Sequence, residues 1–329
     1  MGDHANISIF VPHLGCPHRC SFCDQRAITG ASAFPTDEEV AAAVRRAAST
    51  GFGGARTAEI AFFGGSFTAI DRKEMLRLLD AAFPFVRSGA VQGIRISTRP
   101  DAVDREVLQL LAGYGVTAIE LGAQSMEDEV LKKSRRGHTP RDVEEAASLI
   151  REYGFSLGLQ MMTGLPGDDD EGTLRTAGRL IALRPETVRI YPLLVLRGTE
   201  VARLYREGEY LPQTLEEAVA LCARLLSLFE RAGIRVIRLG LHAVDEERLI
   251  AGPWHPAFSE LCYSRRYLEA FTAAFAGREK GEYTLLVAPG EQSKATGQRR
   301  SNAAVLEKRG WNVKIQESPA VLPGGFEII

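Results

Sequence analysis

The chain has 329 residues, 45% of them hydrophobic and 25% charged, with 40 Lys and Arg against 42 Asp and Glu. That length and composition suit a soluble globular protein of one large domain, or one domain with an appendage, and no apolar run is long enough for a membrane span. A formal net charge of -2 argues against a protein that coats nucleic acid along its whole surface, while leaving room for local basic patches.

The first six residues are polar and carry no secretory signal, so reduced thiols and a cytoplasmic location are expected. From residue 7 to about residue 240, short β-branched or aromatic runs alternate with segments of helical periodicity, the pattern of a mainly parallel α/β domain. Strands are expected at 7–12, 58–63, 93–98, 117–122, 156–162, 187–193 and 234–239. Helices are expected between them at 36–50, 71–83, 103–113, 139–153, 170–183 and 213–231. Thr36 and Thr214, each followed by acids, mark helix starts, where unpaired amides and the dipole favour such residues. Beyond residue 240 come Gly252-Pro253-Trp254-His255-Pro256, a long helix at 257–276 and a strand-helix-strand ending, which together read as a small α+β C-terminal cap on a core of residues 1–240.

Directly after the first strand stand Cys16, Cys20 and Cys23, three of the five cysteines in the chain. A cubane iron-sulfur cluster takes four ligands, so three thiolates on one loop leave one iron open to a cofactor. The competing reading is zinc, with His13, His18 or Asp24 completing the set, but structural zinc favours paired elements across a longer spacer, and no second pair exists. Cys222 and Cys262 lie apart on amphipathic helices and are expected to be small buried apolar residues, too isolated for a second cluster.

Ligands collect at the C-terminal ends of parallel strands. The cysteine loop, Gly64-Gly65-Ser66, Thr98-Arg99-Pro100-Asp101, Gln124-Ser125, Gly164-Leu165-Pro166-Gly167 and Arg197-Gly198-Thr199 all follow expected strands, so six strand ends converge on one mouth. A single glycine-rich turn is weak evidence; several in corresponding places are not.

The cysteine motif with Phe22, followed by the segment at 62–68, resembles the radical S-adenosylmethionine superfamily. The segments at 96–101, 119–125, 136–139, 161–167 and 189–199 are most similar to the Elongator catalytic-subunit family, with a weaker likeness to oxygen-independent coproporphyrinogen oxidases. The likeness covers about residues 7 to 240. It implies a partial (β/α)6 TIM-like barrel, one 4Fe-4S cluster, and S-adenosylmethionine cleaved reductively to methionine and a 5′-deoxyadenosyl radical, chemistry that belongs to the cofactors while the protein positions and shields them. By the same resemblance Cys16, Cys20 and Cys23 hold the iron, Phe22 lines the adenine, and the backbone of Gly64, Gly65 and Ser66 approaches the amino group. Gln124 meets the ribose or carboxylate, and Arg136 pairs with the carboxylate. Gln160 either satisfies a strand-end hydrogen bond or contacts the ribose. Ser97 departs from the related families, which often carry Glu there to grip the amino group. Tyr191, Arg197 and Thr199 match the family segment, and also suit a core tyrosine and a helix-capping turn.

The Elongator-like family implies an RNA-directed enzyme acting on tRNA, supplied with electrons by a flavodoxin- or ferredoxin-like donor. The roughly 90 residues after the core are expected to be too few for that family's acetyltransferase domain together with a cap, and its basic N-terminal extension is not expected here. An RNA surface would draw on Arg265, Arg266, Arg278, Lys280, Lys294, Arg299, Arg300, Lys308, Arg309 and Lys314, with Tyr263, Tyr267 and Trp311 for base stacking. The alternatives are a small-molecule radical oxidase, with residues 252–256 as a lid and His242 or His255 as proton donor, and a cluster-bearing sensor that binds RNA without turnover. No membrane partner is expected.

Overall fold

The computed structural model describes residues 4–12, 20–23, 33–241 and 246–329. Apolar β-branched runs form β1 (His4–Val11), β2 (Thr57–Gly64), β3 (Gly93–Thr98), β4 (Val116–Gln124), β5 (Ser156–Thr163), β6 (Thr187–Pro192) and β8 (Arg235–Leu239). They pair in parallel, in chain order, as one seven-stranded sheet curled into a half-barrel. The expected strands all appear, most within two residues of their expected bounds. Strand β7 (Val195–Leu196) pairs separately and antiparallel with β9 (Leu249–Ala251), a connection that sequence periodicity did not reveal.

Crossovers between parallel neighbours are right-handed, so the helices gather on one side of the sheet. These are α1 (Asp37–Ser49), α2 (Arg72–Arg87), α3 (Arg105–Gly113), α5 (Pro140–Glu152), α6 (Asp170–Ala182) and α8 (Leu215–Arg231), with two short helices, α4 (Asp128–Lys133) and α7 (Glu200–Arg206), after β4 and β7. Their starts follow the expected chemistry: Thr36 with Glu39, and Thr214 with Glu217, form capping boxes that satisfy amides at both helix entries. Helix α2 runs past its expected end to Arg87 with Pro84 inside it, and α4 was not anticipated.

Alternation along each strand then sorts the residues. Ile60, Ile94, Ile96, Ile119, Leu157, Leu159, Val188 and Ile190 are buried in one core with Leu78, Leu108, Val143, Ile150 and Leu221 from the helices. The intervening positions, Glu59, Arg95, Ser97, Glu120, Gln160, Arg189 and Tyr191, point to the opposite, inner face of the half-barrel.

Helix α9 (Phe258–Phe275) joins two cores. Phe258 and Cys262 belong to the barrel core, whereas Tyr267, Phe271 and Phe275 belong to a second one. That second core lies under β10 (Gly281–Val287), β11 (Trp311–Glu317) and β12 (Phe326–Ile328), in the order β11-β10-β12, with α10 (Gln292–Thr296) and α11 (Ser301–Lys308) between β10 and β11. The expected strand-helix-strand ending is present, with an added antiparallel strand. Among the described residues no helix is long and apolar enough to cross a membrane.

Candidate active site at the mouth of the half-barrel

Cys16 and His242 lie outside the described residues. Cys20 is buried and Cys23 half-buried, and the Cys23 amide donates to the Cys20 carbonyl at 3.1 Å, closing a turn. Two backbone bonds hang this turn on the fold: Ser21 N donates to Ser134 O at 3.0 Å, and Val201 N donates to Ser21 O at 2.9 Å. Phe22 packs against a small cluster that includes Val130, Met162, Leu165 and Val201, and Tyr191 packs against the same cluster.

Arg136 is buried behind the turn, donating from Nη1 to Cys20 Sγ at 3.2 Å and from Nη2 to Gly122 O at 2.6 Å. Its position is held from below by Arg99, whose Nη2 donates to Arg136 O at 2.5 Å and whose Nε is paired with Asp101 at 2.8 Å. Lys132 pairs with Glu129, and Arg135 with Glu200, at the solvent surface. Arg136 alone of this basic run turns inward.

At the end of β4 the pairing with β5 slips between Gly122 and Gln124, leaving Ala123 as a bulge. Gln124 sits at φ 66°, a conformation costly for a residue with a Cβ and typical of functional sites. Its Oε1 and the Nε of Arg136 are both buried without a partner. A Cβ placed on Gly122 would stand 3.0 Å from Gln124 Nε2 and 3.4 Å from Arg136 Nη2, so both polar side chains close over a bare backbone.

Gly65 N donates to Val11 O at 2.8 Å, and a Cβ there would sit 3.0 Å from Pro12 O; Gly64, at φ 110°, has no room for one against the Phe10 ring. Glycine here lets the β2 end lie flat against the entry to the cysteine loop. The Ser66 hydroxyl is engaged inside the fold, accepting from Arg99 N at 2.9 Å and facing Thr98 Oγ1 at 3.0 Å. His138, which sequence reasoning did not single out, contacts Ala123 O through Nε2 at 3.2 Å; a carbonyl only accepts, so Nε2 carries the hydrogen. Burial first, then the charges of Arg136 and Arg99, push its pKa from 6.5 down to about 4.

The inner face carries a ladder of charge. Glu120, 1% exposed, accepts two bonds from Arg189 at 2.6 and 2.8 Å and faces Arg95 at 3.4 Å. Arg95 in turn pairs with Glu59 at 2.9 Å. Gln160 donates to Glu120 at 3.1 Å and reaches Ser97 Oγ at 3.5 Å, so the two polar residues expected near the cofactor meet each other. Tyr191 lies beside Arg189 and Arg238, and burial raises its pKa.

The remaining candidates sit farther out. Arg197 has an exposed side chain, and its backbone bonds Arg248 on the β9 side; Thr199 caps α7 by accepting from Ala202 N at 3.2 Å. His255 accepts from Ala257 N through Nδ1 at 3.0 Å, shaping the turn before α9, with Pro192, Trp254 and Phe258 around it.

Two expectations need correction. Tyr267 is 1% exposed in the second core and presents no face to a base, Trp311 is partly buried with one face stacked on Phe275 at 5.2 Å, and Tyr263 is partly buried with Arg266 and Lys294 over its ring, so the three are not an open stacking surface. Cys222 and Cys262 are not isolated: α8 and α9 bring the two buried thiols beside each other, and burial raises the Cys262 pKa.

The residues placed here fit a cluster and an amino-acid-bearing cofactor: sulfur donors on a pinned turn, a buried guanidinium aimed at one sulfur, and unpartnered polar atoms above glycine backbone. The sequence matches the Radical SAM superfamily over residues 10–180 and the Radical SAM C-terminal domain over residues 185–270. It is 32% identical over 218 residues to an uncharacterized protein of Methanocaldococcus jannaschii, covering 62% of this chain and 65% of that one. It is 32% identical over 139 residues to the tRNA uridine(34) acetyltransferase of the same organism, and 35% over 139 residues to human Elongator complex protein 3. Those stretches cover 41% of this chain, but only 26% and 25% of the two relatives. In fold it resembles the archaeal Elp3 of Methanocaldococcus infernus, with a TM-score of 0.66 at 23% identity, across 83% of this chain and 64% of that one. The two profile matches, with the curled parallel sheet and its cysteine turn, place the chain in the radical SAM superfamily, whose enzymes work with a 4Fe-4S cluster and S-adenosylmethionine and require a reductant.

Proposed function

We propose that this enzyme modifies RNA, with tRNA as its substrate, in the cytoplasm and with a flavodoxin- or ferredoxin-like electron donor. The observation that carries the substrate class is the 32% identity over 139 residues with a protein named for a reaction at uridine 34 of tRNA. The cluster, when bound, supplies the electron that cleaves S-adenosylmethionine to methionine and a 5′-deoxyadenosyl radical.

In this reading the residues of the chain bind, orient and shield. Cys16, Cys20 and Cys23 would hold the cluster, and Arg136 donates to the Cys20 sulfur, as partners around a metal site do. The guanidinium has donors left for a carboxylate. Gln124 offers an unpartnered oxygen beside it, Gly64 and Gly65 keep side-chain bulk away, and Phe22 provides an apolar wall. Ser97 and Gln160 lie one step deeper, and the Glu120 ladder fixes the floor. Residues 1–240 carry this chemistry, and residues 241–329 face the substrate.

Phosphate contacts fall to the exposed Arg278, Lys280, Lys308, Arg309 and Lys314 at the β10 and β11 end of the second core, with Arg299 and Arg300 before α11. Tyr267, buried in the second core, is not available for base stacking. The test is incubation of reduced, reconstituted protein with deuterium-labelled S-adenosylmethionine and total small RNA, followed by nucleoside mass spectrometry. Label in a nucleoside, or a new nucleoside mass, supports the reading; cleavage of S-adenosylmethionine with neither refutes it.

A further inference from the structure

One polar row crosses the inner face in register. Gly122 of β4 stands opposite Gln160 of β5, Gln160 opposite Arg189 of β6, and Arg189 opposite Arg238 of β8. The last pairing depends on a slip: Val188 faces Val236, yet the next residue, Arg189, faces Arg238, so Ile237 is the extra residue of a bulge. A bulge at a sheet edge re-aims a side chain. This one sets a second guanidinium beside the first on the inner face, across a single strand spacing of about 4.8 Å.

The charges along the row do not balance. Glu59 is taken by Arg95, and Glu120 by Arg189 and Arg95. Arg238 has no ion pair or hydrogen bond among the described residues, and its Nε is buried without a partner. Burial pushes the Arg238 pKa down, and the neighbouring charge of Arg189 acts in the same direction. A half-buried cation next to another cation is costly unless an anion arrives to face it.

We propose that Arg238, with the Tyr191 hydroxyl and the adjacent edge of Arg189, binds an oxyanion carried by the substrate, a phosphate or a carboxylate. Arg189 is already neutralised by Glu120, so the site carries one uncompensated positive charge, suited to a singly charged oxyanion or one oxygen pair of a phosphate. Tyr191 supplies a neutral donor near both arginines. The row also sets a length. From Gly122, whose carbonyl holds Arg136 against Cys20, to Arg238 is three strand spacings, at most roughly 14 Å. An anion at Arg238 therefore anchors one end of a nucleotide-sized molecule and leaves its uncharged end toward the cysteine turn. The inference rests on the inner face receiving the substrate and not on that substrate being RNA.

Isothermal titration of the reconstituted full-length protein with inorganic phosphate, and separately with acetate, reads the site directly. Saturable binding to the wild type is expected, weakened about tenfold or more in Arg238→Gln and in a milder degree in Tyr191→Phe, as loss of a charge-assisted or neutral hydrogen bond dictates. Arg238→Lys, which keeps the charge, should retain most of it, and Lys73→Gln, exposed at the start of α2, should change nothing. Preference for phosphate identifies a phosphate-bearing substrate, and preference for acetate a carboxylic acid. Binding to Arg238→Gln at the wild-type affinity, or no saturable binding of either anion to the wild type, overturns the assignment; should Arg238→Gln fail to fold, the Arg238→Lys and Tyr191→Phe titrations still decide it. Arg238-dependent phosphate binding in a protein that labels no nucleoside would retire the RNA reading and leave this one standing.

Discussion

Arg136 lies with one amino group 3.2 Å from Cys20 Sγ and the other 2.6 Å from Gly122 O, so the residue that borders the cysteine turn also grips the end of the central strand. Its carbonyl is clamped in turn by Arg99. Such a guanidinium is fixed before any ligand arrives, and less freedom remains to be lost on binding. Arg136→Met removes the donor at the sulfur and the partner proposed for the cofactor carboxylate, each a charge-assisted bond of about 1.5–3 kcal/mol. S-adenosylmethionine affinity, measured by equilibrium dialysis on reconstituted protein, should fall about tenfold to a hundredfold, while iron content stays near that of the wild type. Unchanged affinity would place the carboxylate elsewhere.

The cysteines divide into two sets with opposite expected behaviour. Cys20→Ala or Cys23→Ala should abolish the iron-sulfur absorption and electron-paramagnetic signal of reduced protein, because a cubane with two protein ligands is not retained. Cys222→Ala should leave iron per chain unchanged, since Cys222 and Cys262 face each other in the packed interface of α8 and α9. Iron lost from Cys222→Ala would show that the prediction of a single cluster is wrong.

What the sequence discloses here is local, and what it hides is set by register. The capping boxes at Thr36 and Thr214, the β-branched strands and the cysteine spacing all sit within a few residues, so each is readable along the chain. Glu120 and Arg189 are separated by 69 positions, and only the pairing of β4, β5 and β6 makes them partners. In the sequence they are polar interruptions in apolar strands. The same holds for Cys222 with Cys262, for β7 with β9, and for the bulge that turns Arg238 inward. Tyr267 and Trp311 misled for a related reason: aromatic residues among basic ones suggest a nucleic-acid surface, whereas a small second core needs large side chains to fill it.

Glu120 is the keystone of the charge ladder, and its loss should destabilise the fold. Glu120→Gln leaves Arg189 and Arg95 facing a neutral amide at a nearly dry position, and breaking a buried pair from one side costs about 3 kcal/mol. Urea denaturation should show the unfolding free energy lowered by about that amount, with the midpoint moved to lower urea and the slope unchanged. Adding Arg189→Gln to the variant should restore part of the loss, because the stranded cation is then gone. A double variant as unstable as the sum of the singles would refute the coupling.

Gly64 tests the packing of the β2 end by a different route. Its φ of 110° is unfavourable for any residue with a Cβ, and a Cβ there would lie 2.2 Å from the Phe10 ring. Gly64→Ala must therefore displace either the ring or the strand end, costing about 2 kcal/mol or more. Pairing it with Phe10→Leu frees space but not the backbone angle, so only part of the thermal stability should return. Full recovery would show that crowding alone requires glycine at this position.

His138 gives the fold a specific acid sensitivity. Folded, its ring is neutral down to about pH 4, because burial and the flanking arginines disfavour the imidazolium; unfolded, it titrates near 6.5. Above pH 6.5 neither state binds the proton, and the stability of the neutral ring is fully present. Between 6.5 and about 4 the unfolded chain binds a proton that the folded one refuses, so stability falls as the pH falls; below about 4 both are protonated and the decline ends. The full drop from this one group is on the order of 3 kcal/mol. In His138→Gln, whose amide can still donate to Ala123 O, urea midpoints measured from pH 7.5 to pH 4 should decline less than in the wild type, with the two curves parting below pH 6.5. Curves that stay parallel throughout would assign the acid lability to other groups.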